Sequence, residues 1–279
     1  MKKNILYSAI YGHAIGDALG VPVEFFSREM LSFEPVVQMR EFGTHDQPNG
    51  TWSDDTSLSL CLLESLSRGF CIQNISENFI SWMDKGMFTS SGEVFDIGIT
   101  TRNSINFLKN AIEKNIEFPS YSIDEFQNGN GSLMRILPLL FHLKKQDLSI
   151  ETQFNIIYKV SALTHGHIRS AIACLVYLIM LDELLVIKDK HIAYVNTQNR
   201  TKKFFDDNPK FNSEKTHFRR ITEQNIFSID SSLIKSSGYV IDSLESSFWC
   251  FLNSNSYKSS VLKSFLPLVY KKSKILKTG

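Results

Sequence analysis

The segment GTWSDDTSLSLCLLESL, residues 50–66, sets two adjacent carboxylates, Asp54 and Asp55, between Ser53 and Thr56. Four oxygen-bearing side chains in four residues have two readings. Ser, Thr and Asp satisfy the free N–H groups of a first helical turn, and negative charge there complements the helix dipole. The same oxygens make half of a site for a hard cation such as Mg²⁺. Leu58, Cys61, Leu62 and Leu66 follow at helical spacing, so a helix is expected over about residues 54–67.

The other reactive side chains lie near short loops. His13 and Asp17 are four residues apart and can pair on one helix face. Gly12, Gly16 and Gly20 stripe the same helix. Each mid-helix Gly costs about 1 kcal/mol relative to Ala, so close approach of another backbone is expected there. Glu24 follows Pro22 just past the helix end. Asp96, between Phe95 and Ile97 and ahead of Gly98, reads as an N-cap or as a site acid. Gly129, Asn130, Gly131 and Ser132 precede a helix expected to start near Leu133. Such a loop suits a phosphate through its backbone N–H groups, or is an ordinary turn with a cap. It is not a Walker A loop, because no GK[ST] follows. Thr164, His165, Gly166 and His167 precede a strongly apolar helix. An HxH pair can bind a transition metal. With no third His or Cys nearby, a loop that orients substrate and a structural histidine both remain open.

Helical periodicity dominates the elements that must position these residues. Helices are expected near 3–20, 54–67, 75–85, 98–114, 132–144, 151–162, 166–187, 214–223 and 236–253. Only EPVVQMREF and HIAYVNT read as short extended pieces or loops. The polar stretch 196–223 reads as a surface excursion, with no convincing domain boundary. The expectation is one all-α domain over 1–279.

The 279 residues, 43% of them hydrophobic, suffice for a sizeable core. A net charge of +1 gives no electrostatic case for nucleic acid or an anionic membrane. No apolar run reaches a membrane span and the N-terminus does not read as a signal peptide, so a soluble cytoplasmic protein is expected. Cys61, Cys71, Cys174 and Cys250 show neither a CxxC pair nor zinc spacing. Cys61 and Cys174 read as small core residues in a reducing compartment.

Taken in order, GHAIGDALGVPVEF, GTWSDDTSLSL, FDIG, GNGSLMR, THGHIRSA and IDSLESSFWCFL resemble the ADP-ribosylglycohydrolase family over about residues 5–262. The resemblance implies an all-α orthogonal helical bundle with two central Mg²⁺ or Mn²⁺ ions. It implies hydrolysis of the glycosidic bond between ADP-ribose and a protein side chain, often arginine. By motif position, Ser53, Asp54 and Asp55 look like metal ligands. Asp96, Glu24 and Asp55 look like the catalytic acids. Gly129, Asn130, Gly131, Ser132 and His165 look like the residues that hold the substrate. The partner implied is ADP-ribose or an ADP-ribosylated protein.

The family's second metal motif, Asp-x-Asp-Thr near the C-terminus, has no counterpart here. After Glu245 there is no Asp or Glu, and the last residues are rich in Lys, including Lys258, Lys263, Lys271, Lys272, Lys274 and Lys277. The chain thus reads as C-terminally truncated relative to the family, with fewer than two tightly held ions expected. The alternative function is a catalytically impaired protein that binds ADP-ribose or an ADP-ribosyltransferase.

Overall fold

The computed structural model describes residues 3–119, 121–122 and 124–265. Among these the chain is all helix and loop, with only isolated bridges such as Phe42–Gln47 and Gly129–Tyr239. At its centre is α8 (Ile168–Leu184), apolar around nearly its whole circumference and therefore buried on most sides. It packs against α6 (Leu137–Leu143), α7 (Ile150–Ser161), α9 (Lys190–Asp207) and α12 (Val240–Leu252). A second group joins α3 (Asp54–Arg68) to α1 (Lys3–Gly20), α4 (Ile72–Lys85), α6 and, through α4, α5 (Ile99–Glu113). Short α2 (Arg28–Phe33) carries Leu31 into a small satellite cluster with Val23 and Val36. Cys61 and Cys174 are both fully buried, as expected of small core residues.

Two segments depart from the sequence expectation. HIAYVNT is not extended: it lies inside α9, which Asp189 caps by accepting from the N–H groups of His191 (2.8 Å) and Ile192 (3.1 Å). The stretch 196–223 is not a surface excursion either, since Thr197, Gln198, Thr201, Phe204, Phe205 and Phe218 are buried. Thr197 and Gln198 are accommodated there because internal carbonyls accept from them, while Thr201 Oγ1 has no partner among the described residues. Thr197 Oγ1 donates to Ala193 O (2.8 Å), and Gln198 Nε2 donates to Ile221 O (2.9 Å) and Gln224 O (2.8 Å). The segment continues through α10 (Asn212–Lys215) and α11 (Arg219–Glu223). EPVVQMREF is loop.

The placement of α9 has a measurable consequence. Phe205→Ala is expected to cost about 3–5 kcal/mol, because it empties a fully enclosed aromatic site. Urea unfolding reads this directly. A surface position would lose less than about 0.5 kcal/mol.

The glycine stripe of α1 meets a side chain rather than a backbone. Tyr257, which opens α13 (Tyr257–Phe265), lies across it and donates from Oη to Gly12 O (2.6 Å). A Cβ on Gly12 would stand 3.5 Å from the tyrosine ring, in ordinary contact. The Lys-rich stretch from residue 266 onward, where the expected loss of metal ligands falls, lies outside the described residues.

Candidate functional site

His13 and Asp17 do not pair with each other; both reach from α1 to the start of α3. Asp17 accepts from Ser53 N (3.0 Å to each oxygen), Ser53 Oγ (2.7 Å), Thr56 N (3.0 Å) and Thr56 Oγ1 (2.6 Å). His13 Nε2 lies 3.1 Å from Asp55 O and 3.1 Å from Ser59 Oγ. A carboxylate 36 residues upstream thus caps α3 together with Ser53. Asp54 and Asp55 are left free of that task.

Among the described residues, no hydrogen bond is donated to the carboxylate of Asp54 or Asp55. Asp54 is nevertheless only 7% exposed. Burial, then the charges of Asp55, Asp96, Asp17 and Glu24, hold its pKa well above the usual carboxylate range. Asp55 is pushed up in the same way, by burial first and then by Asp17, Glu24 and Asp96. Asp55 is half-buried, and the cost of crowding such carboxylates is relieved by protonation or by a cation.

Two loops bring further polar side chains. Gly43 (φ +60°) lies so close to the Pro22 carbonyl that a Cβ would fall 2.1 Å from its oxygen. That approach, with Thr44 Oγ1 donating to Glu24 O (2.6 Å), seats His45 beside Glu24. His45 Nε2 is 2.8 Å from Glu24 Oε2 and 3.9 Å from Asp96 Oδ2. One donor atom from each of Glu24, His45 and Asp96 lies within 4.8 Å of the others. Asp96 is not a helix cap: the N-cap of α5 is Gly98, with no side-chain hydrogen bond. Its own backbone is left-handed (φ +47°), as are those of Phe25 (+64°) and Asp46 (+52°), each next to a member of this cluster. Such strain in residues other than glycine is typical of functional loops.

Burial, then the charge of Asp96, pushes Glu24 up to about 7, against the lowering effect of His45. In the unfolded chain this acid titrates near 4.5. Between those values the folded state keeps a proton that the unfolded state has lost, so the contribution to stability falls as pH rises from about 4.5 to 7. In EDTA, the melting temperature should decline over that window, and Glu24→Gln should flatten the decline. An unchanged slope in the variant would contradict the burial of this acid.

The Gly129–Ser132 segment is a single 3-10 turn, Asn130–Ser132, and the next helix starts at Leu137 rather than near Leu133. Pro138 fits the first turn of that later helix. The N–H of Asn130 donates to Gly238 O (2.9 Å), so this donor is committed within the protein. His165 presses on the turn: a Cβ on Gly131 would lie 2.5 Å from its Cε1, and one on Gly129 3.2 Å from its Nε2. Its neighbour His167 does something else, capping α8 by accepting from Arg169 N at Nδ1 (3.1 Å). The HxH pair therefore does not act as a chelate.

Three residues that the sequence did not mark as site members complete the picture, namely Asp17 in its capping role, His45 and Arg135. His45 gave no signal beyond lying in a Gly- and Asp-rich loop. Arg135, in GNGSLMR, is wholly buried, and its charge acts on both Asp54 and His165, linking the acid cluster to the glycine turn. One donor group fits a divalent cation: Glu24 and Asp96 supply hard oxygens within 4.8 Å of each other and of His45, whereas Asp54 and Asp55 are coupled to these acids by charge and stand outside that group. His45 adds one nitrogen that suits Mn²⁺.

The ADP-ribosylglycohydrolase family model matches residues 2–266. The ADP-ribosylarginine hydrolase Tri1 of Serratia proteamaculans (strain 568) is 31% identical over 262 residues, covering 91% of this chain and 64% of that protein. The ADP-ribosyl-[dinitrogen reductase] glycohydrolase of Rhodospirillum rubrum is 28% identical over 188 residues, 63% of this chain and 56% of that one. The chain thus spans under two thirds of the length of these relatives. Among solved structures, an ADP-ribosylglycohydrolase-related protein complex superposes with a TM-score of 0.70 at 25% identity, covering 93% of this chain and 79% of that one.

Proposed function

The chain belongs to the ADP-ribosylglycohydrolase family, and from that premise we propose that it removes ADP-ribose from a modified protein side chain, arginine first among candidates, by hydrolysis of the N-glycosidic bond. The observation that carries this reading is the cluster of Glu24, His45 and Asp96, whose donor atoms lie within 4.8 Å of one another, with Asp54 and Asp55 coupled to its acids by charge. The names of the relatives support the substrate class.

Ser53, Asp54 and Asp55, with Glu24 or Asp96 at the margin, would hold Mg²⁺ or Mn²⁺. The ion would supply positive charge that polarises and orients ribose hydroxyl oxygens. Ser53 donates its hydroxyl proton to Asp17 and accepts from Asp55 N, which leaves one lone pair for an ion. Glu24, poised at about 7, can take a proton from attacking water or return one to the departing nitrogen near neutral pH. The Asp96 carboxylate, beside Glu24, is placed to stabilise positive charge developing on the sugar. The Gly129–Ser132 turn and His165 grip the distal part of the ligand, and that remote binding energy fixes the sugar against the acids.

The test is incubation with an arginine-ADP-ribosylated protein in Mn²⁺, Mg²⁺ or EDTA, with free ADP-ribose as the readout. Release that EDTA abolishes is expected. No release at stoichiometric protein, with ADP-ribose still bound in a calorimeter, would replace hydrolysis by a binding role.

A further inference from the structure

Arg135 is enclosed in the core, and among the described residues no carboxylate hydrogen-bonds to it. Its Nη2 donates to Val160 O (3.1 Å) and Thr164 Oγ1 (2.9 Å), and its Nη1 donates to Gly131 O (3.4 Å). Its guanidinium carbon lies 4.9 Å from the centre of the Phe79 ring, and its Nε has no partner. Burial lowers its pKa only to about 10, so it remains a cation at neutral pH.

A guanidinium can only donate, so the Thr164 hydroxyl must accept from Nη2. The single hydroxyl proton is then free to be donated. His165 Nδ1, 2.9 Å away, is the acceptor in reach. Burial, then the charge of Arg135, pushes His165 down to about 3, so the ring is neutral. A neutral imidazole that accepts at Nδ1 carries its own proton on Nε2. Among the described residues nothing hydrogen-bonds to Nε2. That atom stands over Gly129 and Gly131, whose lack of side chains makes room for the ring.

We propose that Arg135 and Thr164 are positioning residues that lock His165 as the Nε2–H tautomer, making it a neutral hydrogen-bond donor aimed at an oxygen of ADP-ribose over the glycine turn. The ligand half of this statement rests on the function proposed above; the tautomer half does not. The surrounding backbone keeps the ring in place: His165 N donates to Ser161 O (2.9 Å), Ser161 Oγ to His165 O (3.2 Å) and Ser104 Oγ to Thr164 O (2.9 Å). A donor held this way needs no reorganisation when the ligand arrives. It also adds no second positive charge beside Arg135.

Long-range proton–nitrogen correlation on ¹⁵N-labelled protein reads the tautomer of each imidazole, and the His165 pattern is identified by its loss in His165→Gln. Wild type should show a single Nε2–H form, with the Nε2 signal shifting on addition of ADP-ribose. Thr164→Ser should keep that form. Thr164→Val should convert it to the Nδ1–H form or a mixture, and weaken ADP-ribose binding about tenfold. A wild-type Nδ1–H or mixed pattern would overturn the proposal without any variant having to fold. So would a Thr164→Val spectrum identical to wild type. If ADP-ribose fails to bind at all, the proposed function and the donor role fall together, and the spectrum still decides the tautomer.

Discussion

Asp55→Ala should lower ADP-ribose release at least about a thousandfold while leaving the metal-free fold as stable as wild type. The loss follows from the proposed role of Asp55 as a ligand of an ion that would stabilise the transition state by several kcal/mol, about 4 of which equal three powers of ten. The persistence of the fold follows from what this carboxylate does not do. It accepts no hydrogen bond among the described residues, and its neighbours Asp17, Glu24 and Asp96 repel it. The start of α3 is held by Ser53 and by Asp17 from α1 instead. A pure capping role makes the opposite forecast, with about 1 kcal/mol of stability lost and turnover retained. Thermal melts in EDTA beside the release assay separate the two readings.

Gly131→Ala should be strongly damaging. The new Cβ would fall 2.5 Å from His165 Cε1, 3.1 Å from its Nε2 and 3.2 Å from Thr101 Oγ1. A flexible side-chain end could move aside, but this imidazole is buried and tied to Thr164. The overpacking should cost about 1–3 kcal/mol. ADP-ribose affinity should fall by roughly tenfold to a hundredfold, because ring and turn can no longer hold their relative positions. Gly98→Ala is the control: its Cβ would meet only Thr101 Oγ1 at 3.9 Å, and its stability should barely change. Equal effects of the two substitutions would show that contact with His165 is not what fixes this glycine.

The helical architecture was legible because amphipathic or wholly apolar periods mark α3, α5, α7, α8 and α12. α9 was not, because its buried face carries the polar residues Thr197, Gln198 and Thr201: Thr197 donates within the helix to Ala193 O, and Gln198 relies on the distant carbonyls of Ile221 and Gln224. The acids were visible as residue types, but their division of labour was not. A Ser-Asp-Asp-Thr run reads as its own cap, and only the approach of α1 transfers that task to Asp17. The same holds for His45, which reaches Glu24 only because Gly43 lets two loops touch. Asp96 shows the reverse case, since its apolar neighbours and the following glycine already marked it as either cap or site acid, and the structure removes the cap.

All of the proposed chemistry requires that the crowded acids hold a divalent ion. Mn²⁺ titrated into EDTA-stripped protein, with the free-ion electron paramagnetic resonance signal followed to saturation, isolates that requirement from turnover. Wild type should take up the ion saturably, and Asp54→Asn should bind it at least about tenfold more weakly. A wild-type protein that leaves the aqueous Mn²⁺ signal undiminished, or an Asp54→Asn variant that binds as tightly, would refute the metal role of these acids.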